Sequence, residues 1–169
     1  MAEPIDPDGI QWIRVSDKLI TLTLLHSALS ALMVLAIFAL PLVLMANGAF
    51  SALPAWLAWS AFGIVLLAVV WRLLLIPRQV RAIGFAERAE DLLIRKGIFF
   101  RRLLVVPYGR MQYVDVAAGP LERWLGLATL KLHTAAPGTN ALIPGLPAAE
   151  AARLREQLSA LGESQLAGL

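Results

Sequence analysis

The sequence predicts two transmembrane α-helices followed by a small antiparallel β domain closed by a C-terminal helix. Three observations lead there. From Leu19 to Trp71 the chain carries no Lys, Arg, Asp or Glu, a pattern that suits a bilayer, whose core offers no water to a charge. After Pro77, short runs of β-formers alternate with Gly and Pro turn signals, at the spacing of about ten residues expected of an all-β domain. Near the end, Ala151, Leu154, Leu158 and Leu161 recur at helical spacing, the mark of one buried helix face.

Composition agrees. Of 169 residues, 59% are hydrophobic, and mean hydropathy is +0.70, well above an ordinary soluble domain. Cysteine is absent, which excludes a disulfide framework, a thiol nucleophile and a Cys-based metal site. The net charge is +3 and unevenly spread. From Arg72 onward there are thirteen Lys and Arg against eight Asp and Glu. That bias suits anionic lipid and is too dilute for nucleic acid.

The N-terminal segment, residues 1–18, is expected on the cytoplasmic side. The transmembrane hairpin is expected over residues 19–76. It is too long for one crossing, since roughly twenty residues span the hydrocarbon core. Asn47-Gly48 favours a turn and Pro54 suits the start of a helix, so the spans are about 19–45 and 55–76. Trp56 and Trp59 near one end of the second span, and Trp71 near the other, read as interfacial anchors. A cleavable signal peptide fits poorly, because the apolar run is long and its flank acidic. Arg14 and Lys18 precede the first span, and Arg72, Arg78, Arg81 and Arg88 follow the second. Positive charge favours the cytoplasmic side, so both termini are expected in the cytoplasm of a multi-pass protein of the cell membrane. His26 is expected in a helix–helix hydrogen bond, beside small residues that permit close helix approach.

The β domain is expected over residues 77–161. Its strands are Val80–Ala86, Asp91–Lys96, Arg101–Val106, Met111–Ala117, Leu127–Thr134 and Ala141–Pro144. Alternation places Leu130 and Leu132 on one face and Lys131 and His133 on the other. Gln112 and Tyr113 obscure the faces of the fourth run. Leu121, Trp124 and Leu125 have i, i+3, i+4 spacing, so a short helical turn there is expected to plug them into the core, with Glu122 and Arg123 facing water. Pro147 and Glu150 suit the start of the last helix, about 148–161, with residues 162–169 as a frayed tail.

Several motifs then resemble the bacterial PH-like family, in particular its YdbS-like two-span membrane proteins. They are Leu92-Leu93-Ile94-Arg95-Lys96-Gly97-Ile98-Phe99, Val106-Pro107-Tyr108-Gly109-Arg110-Met111-Gln112, Gly119-Pro120-Leu121-Glu122-Arg123-Trp124-Leu125-Gly126-Leu127-Ala128, Leu132-His133-Thr134-Ala135 and Ile143-Pro144-Gly145-Leu146. The resemblance implies a PH-like β domain of two near-orthogonal antiparallel sheets capped by the C-terminal helix. It also implies about seven strands, so one beyond the six is expected within Ala135–Ile143. It implies no enzymatic activity and no cofactor, and a tethered interaction domain that sometimes acts beside a multi-copy PH-like paralogue.

Catalytic and metal-ligating patterns are weak. Neither HExxH, GxSxG nor a P-loop occurs, and Glu87, Glu90 and Asp91 read as a solvated acidic turn. Two spans without paired intramembrane charges offer no polar pathway for a transporter. The basic residues carry more. A hairpin turning at Gly97 gathers Arg95, Lys96, Arg101 and Arg102 beside Phe99 and Phe100, and Arg123 with Trp124 forms a second candidate contact. Cations attract anionic headgroups and aromatic rings bury at the boundary. One reading makes these residues a contact with the inner leaflet; in the other, the phenylalanines are core and the charges merely solvated. A protein partner docked on a sheet edge or groove is the competing function, as is an accessory subunit of a membrane complex of transport, envelope-stress or antimicrobial-resistance type. Homo-oligomerisation stays open.

Overall fold

The computed structural model describes residues 9–48, 54–134 and 141–167, with side chains to Gly162. Its order is β1 (Ile13–Arg14), α1 (Lys18–Ala46), α2 (Ala55–Arg81), β2 (Gly84–Glu87), β3 (Asp91–Lys96), β4 (Arg102–Pro107), a 3-10 turn (Tyr108–Arg110), β5 (Met111–Ala117), α3 (Pro120–Leu125), β6 (Leu127–Thr134), β7 (Ala141–Pro147) and α4 (Ala148–Ala167). The chain divides into two units: Thr23–Pro77, and the rest.

The helical unit holds most of α1 and α2. At 29 and 27 residues they are about 43 and 40 Å long, more than the ~30 Å hydrocarbon core needs. Leu29, Met33, Ile64 and Leu67 are all exposed, an arrangement suited to lipid and not to water. Asn47 ends α1 by donating from Nδ2 to the Val43 carbonyl at 2.8 Å. Gly48 follows at φ +74°, a left-handed value natural to glycine. Residues 49–53 of the expected loop lie outside the described residues.

The second unit contains two antiparallel sheets, ordered β1-β2-β3-β4 and β5-β6-β7. Phe85, Leu92 and Ile94 of the first sheet, Leu130, Leu132 and Ile143 of the second, and Ala151, Leu154 and Leu158 of α4 are buried. The predicted α4 stripe is thus the buried face, with Leu161 only half-buried. Tyr108 is the bulkiest fully buried side chain among the described residues. It donates from Oη to the Arg88 carbonyl at 2.9 Å, which pins the β4–β5 corner to the β2–β3 turn.

The structure corrects four expectations. The seventh strand is β1, ahead of the first helix, where Ile13 pairs with Phe85 and Arg14 with Gly84. Of the expected location, residues 135–140 lie outside the described residues, and 141–143 belong to β7. Residues of the N-terminal segment therefore complete the β unit. Second, α2 runs through Pro77 to Arg81, so the strand read from Val80 begins at Gly84. A proline removes a single N–H from the ladder, and flanking turns can carry the helix past it. Third, α4 continues past Leu161 to Ala167. Gly162 costs a helix about 1 kcal/mol relative to Ala, less than the buried stripe returns. Fourth, α3 shows Leu121 and Trp124 to solvent, while Glu122 turns inward. Its carboxylate accepts from the Gly119 N–H at 2.7 Å and the Thr129 hydroxyl at 2.8 Å, so it caps the helix instead of facing water.

The fourth strand run had an ambiguous pattern for a physical reason. The β5–β6 register shifts between Met111 and Tyr113, so a β-bulge at Gln112 breaks the alternation. Beyond it Tyr113 lies opposite His133, and the two rings stack with centroids 4.2 Å apart and planes 13° from parallel.

Candidate functional site

The β3–β4 hairpin folds as its sequence requires. Gly97 has φ +103°, and a Cβ there would fall onto the Phe100 carbonyl oxygen. Only glycine satisfies both the left-handed backbone and that close approach. The loop that follows projects Phe99 and Phe100, 76% and 86% exposed. The alternative in which they are core residues is therefore excluded.

Lys96 and Arg102 are direct cross-strand partners, so their side chains leave the sheet on one face, and both are exposed. Arg101, within the loop, is also exposed. Arg95 behaves differently. It is half-buried on the opposite face, with its guanidinium 4.5 Å from the centroid of the Trp12 ring. That cation–π contact ties the strand to the N-terminal segment. The tip proper is Lys96, Phe99, Phe100, Arg101 and Arg102.

The hairpin lies beside the final turn of α2 and the residues that follow it. Gln79, Ile83, Lys96, Ile98, Phe99 and Arg102 line one open groove, and Ala82, Arg95, Ile98 and Arg101 line a smaller one. Ile98 is common to both. It is half-buried, whereas Phe99 and Phe100 stand outward. Sequence reasoning missed Gln79, because it ended the helix before that residue, and Ile83, because it read that residue as part of a strand.

Arg123 and Trp124 sit on α3, a separate element. Trp124 is 81% exposed and Leu121 is exposed beside it. Gly126, at φ +70°, ends the helix, and the Lys18 ammonium donates to the Leu125 carbonyl at 3.2 Å. Lys18 is the first residue of α1, so this second exposed aromatic lies next to the entry to the first apolar helix. The exit from the second lies next to the first.

Between these elements the chain is fastened to β7. Ser16 N–H donates to the Gly145 carbonyl at 2.9 Å, and Leu19, itself buried, occupies the space that a Gly145 side chain would need. Away from the tip, Arg153 of α4 bridges to Glu87 at 2.7 Å and to Glu150 at 2.6 Å. Its hydrogen bond holds the Glu150 carboxyl below the usual carboxylate range. Burial, reinforced by the Glu87 and Asp91 carboxylates, pushes the Tyr108 phenol up. These groups hold the fold, and among the described residues no cluster of three His, Asp or Glu could hold a metal ion.

Residues 18–162 match the family described as Bacterial PH domain. The chain is 32% identical over 158 residues to the UPF0699 transmembrane protein YdbS of Bacillus subtilis (strain 168), an alignment covering 93% of this chain and 90% of that protein. No solved structure matches it. With two apolar helices and two antiparallel sheets closed by a helix, this membrane protein belongs to the bacterial PH domain family.

Proposed function

We propose that the protein is a membrane-anchored, non-enzymatic binding module whose β domain contacts the anionic inner leaflet through the β3–β4 tip, with both termini cytoplasmic. One observation carries the reading: two adjacent phenylalanines, almost fully exposed, share a loop with three exposed cations beside the end of a membrane helix. In water such a tip is costly. At an interface the rings bury and the cations meet phosphate, at about 1 kcal/mol per near-surface Lys or Arg. Gln79 lies seven residues beyond Arg72, the first charge after the apolar run. That is about 10 Å of helix, the scale of a headgroup layer. Trp124, Leu121 and Arg123 make the corresponding contact beside Lys18.

The chain has no cysteine, so a single Cys at position 100 gives a clean labelling site. An environment-sensitive dye on Phe100→Cys, in the full chain in nanodiscs, should shift to the blue and be quenched by nitroxide lipids when phosphatidylglycerol is present. Replacing Lys96, Arg101 and Arg102 by Gln should reverse much of the shift. A label that stays in water at every lipid composition would reject the reading.

A sheet edge that pairs with no further strand among the described residues favours a second reading. β5 ends its sheet, and Met111, Gln112, Tyr113, Leu158 and Ser159 line a groove between it and α4. An extended segment of a protein partner, such as a multi-copy PH-like paralogue, would add a strand there. Photo-crosslinking from position 112 in native membranes separates the cases: recovery of lipid adducts alone counts against a protein partner.

A further inference from the structure

We infer that the helical hairpin holds one anionic phospholipid in a cleft between α1 and α2, with Arg72 bound to its phosphate. The cleft has a volume of about 370 Å³, within the range of small-ligand sites. On α1 it runs from Ser27 to Val34, and on α2 from Leu73 and Arg72 to Val65. Each wall thus rises about two helical turns, about 10–12 Å. Its lining is aliphatic, apart from two serines and Arg72. Ser30 is engaged locally, its hydroxyl donating to the Ser27 carbonyl at 2.9 Å. Ser27 adds a second hydroxyl, and the charge of the cleft is that of one guanidinium at one mouth.

Arg72 is the only Lys, Arg, Asp or Glu in the whole unit Thr23–Pro77, and no acidic residue occurs between Asp17 and Glu87. A cation at the edge of hydrocarbon takes a counter-charge, and this unit supplies none. The bilayer supplies phosphate. A basic pocket between membrane helices, continuous with an apolar channel, fits an amphiphile whose head is anionic and whose tail is a hydrocarbon chain. Arg72 lies at the mouth on the side where the chain leaves for the β domain, so the lipid comes from that leaflet. The site uses no residue of the β3–β4 tip and stands or falls separately from it.

The test uses the full chain, purified in mild detergent with defined lipids and read by native mass spectrometry. Wild type should retain one phosphatidylglycerol in preference to phosphatidylcholine. Arg72→Gln should lower that retention about fivefold, the equivalent of about 1 kcal/mol, and Arg72→Lys should keep most of it. Ala68→Phe, which fills the cleft and leaves the charge, should also abolish retention while leaving the dye at position 100 unaffected. Equal retention of both lipids, retention by Ala68→Phe, or a second copy of the chain crosslinking through position 31 in place of lipid would each overturn the inference.

Discussion

Gly145→Ala should loosen the junction between the first apolar helix and the β domain. Gly145 has φ +69°, a conformation that costs an L-residue about 1–2 kcal/mol. A Cβ there would also lie 2.6 Å from Leu19 Cδ2, 2.7 Å from its Cβ and 2.9 Å from its Cγ. The Cβ contact matters most, because rotating the Leu19 side chain cannot relieve it; the start of α1 has to move. Forced overpacking of this kind costs about 1–3 kcal/mol, so the total is about 2–5 kcal/mol. Urea unfolding of the full chain in micelles measures it. Protease cleavage after Arg14 or Lys18 should quicken in parallel, since Ser16 bonds to the same residue. Leu19→Ala separates the two terms. Alone it destabilises by leaving a cavity, but combined with Gly145→Ala it removes the clash and leaves the backbone cost. The double-mutant cycle should therefore show favourable coupling of about 1–3 kcal/mol. A single-mutant loss below about 0.5 kcal/mol, or strict additivity, would refute the close approach of Leu19.

Gly97→Ala should distort the β3–β4 tip, because the added Cβ meets the Phe100 carbonyl and φ is positive; faster amide exchange over residues 96–102, with the α4 core unchanged, is the expected result. Arg153→Ala should cost about 0.5–1 kcal/mol, since its bridges to Glu87 and Glu150 are partly exposed. Glu150 has a lowered pKa, so its contribution is present above the ordinary carboxylate range and is lost as pH falls through the lowered value; acid titration of stability in Arg153→Ala should lack that component. Tyr108→Phe should cost about 0.5–1.5 kcal/mol by removing the hydrogen bond to the Arg88 carbonyl. The phenol's raised pKa means wild-type stability falls as pH climbs past the ordinary tyrosine value of about 10, and the Phe variant should lose that share of the alkaline dependence.

What the sequence revealed, and what it hid, follows from the range of the forces involved. The bounds of β3, β5 and β6 match the sequence reading because glycine and proline punctuate them and their interiors are β-branched or leucine-rich. β1 was hidden because two residues make no period; their pairing with β2 defines them, across sixty-odd residues of membrane hairpin. α3 was legible as a helix and Arg123 is exposed as expected, but Leu121 and Trp124 face solvent and Glu122 turns inward. In six residues the i, i+3, i+4 spacing of Leu121, Trp124 and Leu125 indicates one face without saying which side is core. Glu122 decided it by satisfying Gly119 and Thr129. The candidate tip was legible as a cluster, but Arg95 was not separable from Lys96 until the strand register set them on opposite faces and put Trp12 beneath the former.

The tip makes one further quantitative demand on the proposed leaflet contact. Lys96 and Arg102 face each other as like charges at the hairpin mouth, an arrangement that costs about 0.2–1 kcal/mol in a sheet. The acidic residues of these strands lie at the other end of the hairpin, where Glu87 is opposite Leu92 and Asp91 opposite Pro107, and they pair there with Arg153 and Arg88. An anionic surface removes the repulsion, so charge and rings should contribute in separable ways. Salt at about 1 M shortens the screening length to about 3 Å and leaves apolar burial intact. In nanodiscs containing phosphatidylglycerol, the dye at position 100 should therefore move only part of the way back toward its water-exposed emission at high salt. Adding Phe99→Ser should complete that movement, because the remaining ring supplies the salt-resistant part. Full release by salt alone would mean that the rings never enter the boundary, and no release in the double variant would mean that something other than Phe99 and the cations holds the tip.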